Sequence, residues 1–76
     1  MIYGELIELG DNYAVYRYGH GPSNLTGKVK IYSDLSIEIL KEPEENMNLW
    51  LGKMLAKYGK EFENNNFPEM IFFQSC

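Results

Sequence analysis

The spacing of apolar positions changes once along the chain. Up to residue 41 apolar and polar side chains tend to alternate; from residue 47 to residue 62 the apolar ones recur every three or four positions. Alternation is the period of a strand with one wet face, and the longer spacing is that of an amphipathic helix. Residues 2–9 are rich in β-branched and large apolar side chains and read as a strand, weakened by Gly4. Gly10-Asp11-Asn12 is a turn signal, and residues 12–18 form a second strand. Tyr13, Val15 and Arg17 point to one side of it, and Ala14, Tyr16 and Tyr18 to the other. So short a turn predicts an antiparallel hairpin.

Residues 19–27 hold three glycines and a proline and read as a loop. In residues 28–33, Val29 and Ile31 alternate with Lys28, Lys30 and Tyr32. Ser33-Asp34-Leu35 is a tight connection into residues 36–41, where Ile37 and Ile39 alternate with Glu38 and Leu40. Val29, Ile31, Ile37 and Ile39 are expected to line one face of a second hairpin.

Pro43 suits the first turn of a helix, and Glu42, Glu44 and Glu45 suit its positive end. The stripe of Met47, Trp50, Leu51, Met54, Leu55, Tyr58 and Phe62 carries the helix to about Glu63, past a stop signal at Gly59. Lys53, Lys57 and Lys60 favour its negative end. Asn64-Asn65-Asn66 breaks it, and residues 70–73 read as a last short strand. The predicted order is β-β-β-β-α-β, an α+β fold with a mostly antiparallel sheet. A small SH3-like or OB-like barrel with one helix is the alternative.

Length limits what such a fold can do. Seventy-six residues make one domain, 1–76, which buries only ~60% of its unfolded surface. Nearly every large apolar side chain is then needed for the core. A groove, a flat face or an interface is a better expectation than a deep cavity. No run approaches the ~20 apolar residues of a membrane span. The first residues, Met1 to Glu5, have neither the basic nor the apolar region of a secretory signal. A lone cysteine makes no internal disulfide, whereas small secreted domains usually carry several. A soluble, cytoplasmic protein is expected.

The chemistry on offer is sparse. His20 is the only histidine, and its neighbours are glycines; acid–base work there needs Asp11, Asp34 or a glutamate brought close by folding. One histidine and one cysteine far apart in the chain make no metal set, and no cofactor is implied. Cys76 follows Ser75, with no cation beside it to activate a thiol. Gly19-His20-Gly21 leads to a strand and not to a helix, so it does not cradle a phosphate.

Tyrosine is the more informative residue. Tyr3, Tyr13, Tyr16, Tyr18 and Tyr32 lie in predicted strands, and the second strand carries tyrosine on both faces. The reading places Tyr16, Tyr18, Tyr32 and Leu40 on the outward side with Lys28 and Lys30. Curling of the sheet, a second chain, or a stacked ligand each account for such a face. The preferred expectation is a non-enzymatic protein-interaction module, self-associating or docking another protein, through Tyr16, Tyr18, Lys28, Lys30, Tyr32 and His20. Weak single-stranded nucleic-acid binding at the same face is the alternative. The net charge of −4 argues against it. That charge is uneven: residues 1–41 hold five acids and four bases, residues 42–76 six acids and three bases. A small-ligand or enzyme site around His20 is the third reading.

Overall fold

Alternation becomes four strands: β1 (Ile2–Leu9), β2 (Tyr13–Gly19), β3 (Gly27–Tyr32) and β4 (Ile37–Lys41). Helix α1 (Asn48–Glu63) and strand β5 (Met70–Phe73) follow. These come from a computed structural model in which residues 1–74 are described. Ser75 and Cys76 lie outside them, and with them the reading of the terminal thiol. The sheet order is β4-β3-β2-β1-β5, with every neighbouring pair antiparallel. This is the expected α+β order. The sheet is open, with β4 and β5 as its two edges, so the barrel alternative is not the fold.

Register decides which side chains are buried. Tyr16 stands opposite Leu6 on β1 and Val29 on β3, and Ala14 opposite Ile31. These residues share one face, and the helix stripe closes over it through Leu51, Met54 and Phe62. The helix packs chiefly on the β1 and β5 side. Ile37 and Ile39 share the inner face, as expected, but toward the edge cover thins: Ile39 is half-buried against the core and Ile37 is 38% exposed. Val29 and Ile31, one strand further in, are fully buried.

The helix begins later than the prolines and glutamates suggest. Pro43, Glu44 and Glu45 sit in an irregular connection, and the first helical turn contains no acid. The Asn46 side-chain oxygen instead accepts the Asn48 N–H at 3.0 Å, satisfying a donor the helix leaves free. Glu44 N–H is drawn to Thr26 Oγ1 at 2.9 Å, which holds that connection down on the start of β3. At the other end Asn65 adopts φ 61°. Its N–H donates to the Phe62 carbonyl, and Asn66 N–H donates to the Glu61 carbonyl. That paired arrangement is the Schellman motif, with asparagine where glycine is commonest. Asn65 Nδ2 also donates to the Asp11 carbonyl, tying the helix end to the β1–β2 turn.

The β3–β4 turn shows the same economy. Leu35 has φ 70°, a conformation that strains a branched side chain. The three-residue connection demands one such position after its first turn. Asp34 Oδ1 accepts from both Ser36 N–H and Ser36 Oγ, fixing the bend. Those bonds, the hydroxyl's first, hold the Asp34 carboxyl below its usual range. The Leu35 side chain is used in turn to pack against the core.

Candidate functional site

The helix covers one face of the sheet; no element among the described residues covers the other. Strand alternation gives that outward face its residues. From β2 come Tyr13, Val15 and Arg17; from β3, Lys28, Lys30 and Tyr32; from β1 and β5, Tyr3, Glu5 and Phe72. Tyr13 and Tyr32 are cross-strand partners with ring centroids 6.2 Å apart. Lys30 Nζ lies 4.2 Å from the centre of the Tyr13 ring and 5.2 Å from that of Tyr32. This places an ammonium against two aromatic faces. Tyr13 Oη donates to Glu8 at 2.9 Å, and that carboxylate pushes the phenol's pKa above its ordinary value. Tyr3 meets Phe72 edge-on at 6.1 Å.

One row across this face is strongly cationic. Register sets Lys41 opposite Lys28, Lys28 opposite Arg17, and Arg17 opposite Glu5. Arg17 is paired, its guanidinium 2.9 Å from Glu5 Oε1. Its Nε is covered and has no hydrogen-bond partner. Lys28 and Lys41 have no ion pair among the described residues. Two like charges directly opposite one another repel, so this end of the row is unsatisfied. All four cations of residues 1–41 lie on this outward face.

The structure divides the expected site residues. Lys28, Lys30 and Tyr32 are on the outward face as expected. Tyr16 and Tyr18 are not: both are fully buried on the inner face. The correction follows from register, because Tyr16 stands opposite Val29 and not opposite a lysine. Tyr16 Oη donates to the Pro68 carbonyl at 2.7 Å, and burial pushes its pKa well up, with Tyr58 adding to the effect. Tyr18 Oη has no hydrogen-bond partner among the described residues, and burial first, then the Glu42 charge, raises its pKa. In their place the outward face gains Tyr13, Tyr3, Phe72 and Lys41. The signal for this was present in β2. Arg17 is its charged residue, so the Tyr13-Val15-Arg17 side is the wet one.

His20 stands apart from this face. It is exposed and forms no hydrogen bond or ion pair among the described residues. A shallow cavity of about 180 Å³ lies beside it, lined in part by Asn24, Thr26, Glu44 and Glu45. Glu44 and Glu45 share that cavity with His20, but neither is hydrogen-bonded to it. No group of three or more metal-ligating side chains is present among the described residues. No helix among them is long and apolar enough to cross a membrane.

The two edges of the sheet differ. At β5 the outward-directed backbone of Phe72 is occupied: its N–H donates to Tyr58 Oη at 3.1 Å, and its carbonyl accepts from Lys57 Nζ at 2.8 Å. At β4 no hydrogen bond from outside the β3–β4 ladder reaches residues 37–41 among the described residues. Ile37 and Leu40 are exposed there, Leu40 at 46%.

Compared with known family models, with curated proteins and with solved structures, the chain matches none.

Proposed function

We propose that the chain is a non-enzymatic protein-interaction module of the cytoplasm, acting through the outward face of its sheet. The observation that carries this is the uncovered row Lys41-Lys28-Arg17 beside the Tyr13–Lys30–Tyr32 cluster. Aromatic and arginine side chains around a partly desolvated centre are the usual makings of a protein interface. Val15, at the middle of the face, is only 6% exposed, so a flat surface is already formed. The lone cysteine supports a reducing compartment.

The test compares capture of partners by the wild-type chain and by the variant Lys28→Glu, Lys30→Glu, with folding of both checked by NMR dispersion. A protein held by the wild type and lost by the variant, whose chemical-shift footprint falls on Tyr13, Val15 and Tyr32, supports the reading. Equal retention by both, or a footprint on the helix or around His20, overturns it. A single-stranded oligonucleotide titrated at low salt provides the contrast: saturating shifts on this face would favour the nucleic-acid reading instead.

A further inference from the structure

We propose that β4 is a strand-addition site for an extended segment with apolar side chains on one face and carboxylates on the other. The inference rests on the interaction-module reading and gives its partner a chemistry.

The backbone argument comes first. Tyr32 N–H donates to the Ser36 carbonyl at the top of the β3–β4 hairpin. Register runs unbroken from there through Ile31/Ile37, Lys30/Glu38 and Val29/Ile39. Antiparallel pairs alternate between those that exchange bonds and those that do not. Lys30/Glu38 is then the next pair to exchange them, and the N–H and C=O groups of Ile37 and Ile39 point away from β3. An added strand satisfies such groups, which is the basis of β-augmentation. The same rule directs Phe72 outward on β5, and there Tyr58 and Lys57 already occupy the sites. On β5 the side chains of α1 fill the Phe72 position and leave only Met70 facing out, whereas on β4 neither Ile37 nor Ile39 has such a partner among the described residues.

The side chains state what the open edge would accept. Ile37 and Ile39 belong to the inner face; Ile37 is exposed and Ile39 only half-buried against the core, so an added strand would bury further apolar surface there. On the outward face Lys41 stands opposite Lys28 with no carboxylate to separate them. A carboxylate on the next strand would relieve that repulsion, at the position where Glu5 serves Arg17 at the other end of the row. Glu38 lies two rows away and is matched to Lys30 across β3, so the carboxylates belong at the Lys41 end. A second copy of β4 fits less well. Paired antiparallel about Ile39, it would set Lys41 against Ile37 and Glu38 against Leu40, with no charge matched.

The probe is a blocked octapeptide in which Val alternates first with two Thr and then with two Glu. Its control carries Lys in place of Glu. Both are titrated into the isotope-labelled full chain, with amide exchange read at Ile37 and Ile39. The expected result is saturable shifts on β3 and β4 with the Glu peptide, at least about tenfold tighter than with the Lys peptide, a ratio worth ~1.4 kcal/mol. Exchange at both isoleucine amides should slow on addition. The variant Lys28→Glu, Lys41→Glu should reverse the preference between peptides. Equal binding of the two peptides, shifts without slowed exchange, or no binding would overturn the proposal. So would slow exchange at Ile37 and Ile39 that depends on protein concentration alone, which identifies a second copy as the occupant. If the peptide fails while a captured partner still maps to Tyr13 and Tyr32, only strand addition falls; loss of that footprint removes the broader reading.

Discussion

Two buried tyrosines two residues apart on one strand should respond in opposite directions to the same deletion. Tyr16→Phe and Tyr18→Phe each remove a single oxygen and leave the ring in place. Tyr16 Oη donates to the Pro68 carbonyl at 2.7 Å, so its removal strips a part-buried acceptor of its donor. That costs ~1–3 kcal/mol. Tyr18 Oη is covered and has no partner, so folding pays its desolvation without a return. Its removal should stabilise by about 1 kcal/mol, the lower end of the burial cost of an unbonded hydroxyl. The two variants should then differ by at least about 2 kcal/mol. A chain of this length has a total stability of only ~4–11 kcal/mol, so the difference is large. Urea unfolding is the assay, with the m-value held as a check that both variants expose the same surface. In melting temperature each kcal/mol is worth ~4–8 °C. Destabilisation by Tyr18→Phe equal to that of Tyr16→Phe would refute the assignment of one satisfied and one unsatisfied hydroxyl. A neutral Tyr16→Phe would refute the importance of the Pro68 bond.

Other substitutions test the backbone and the charges. A Cβ on Gly19 would sit 1.8 Å from the Asn24 carbonyl oxygen, so Gly19→Ala should lose at least ~2 kcal/mol by forcing the 19–27 loop off β2. Gly52 meets nothing within 4 Å and is exposed on the helix; Gly52→Ala should gain ~0.5–1 kcal/mol, read in the same urea series. Asn65→Ala loses both an easy left-handed residue and the bond to the Asp11 carbonyl, and should cost ~1–2 kcal/mol, read as a drop in melting temperature. Both inner-face tyrosines have pKa values raised on folding, so the folded state holds their protons more tightly than the unfolded one. Their contribution is whole below pH ~10 and is lost as pH rises through the folded values, so stability should fall with increasing alkalinity above that point. In Tyr16→Phe this alkaline loss should be visibly shallower by circular dichroism; an unchanged profile would remove Tyr16 as its source.

Periodicity made most of the fold legible. The strands to within a residue at each end, the end of the helix at about Glu63 and the β-β-β-β-α-β order follow from the spacing of Val29, Ile31, Leu51, Met54 and Phe62. Two things did not follow, for separable reasons. Pro43 and the glutamates around it resemble a helix start, but Thr26 captures Glu44 N–H, a contact only the folded chain makes, and the Asn46 side chain accepts Asn48 N–H just ahead of the helix. The face of β2 also went the wrong way. Tyrosine is equally at home in a core and on a surface, so Tyr16 and Tyr18 carried no sign of their own. Arg17 is the one local sign of which side is wet, and pairing with Val29 and Leu6, a long-range property, fixes it. The candidate site was therefore half readable. Lys28, Lys30 and Tyr32 were found from alternation, whereas Tyr13 and Lys41 entered through register, Lys41 by way of the bulge at Leu40.

The occupation of Phe72 on β5 by Tyr58 and Lys57 bears on how the sheet can grow. A sheet open at both ends can add strand to strand without limit, and the product is a polymer. With the Phe72 position filled by its own helix, β5 offers an incoming strand only the backbone groups of Met70. Addition at β4 is therefore favoured over addition at β5, and two chains joined back to back through β4 would leave two partly blocked edges outermost. A short, strongly apolar terminal strand such as Met70-Ile71-Phe72-Phe73 would otherwise be the natural seed of an aggregate. Two side chains on the helix blunt that liability at Phe72.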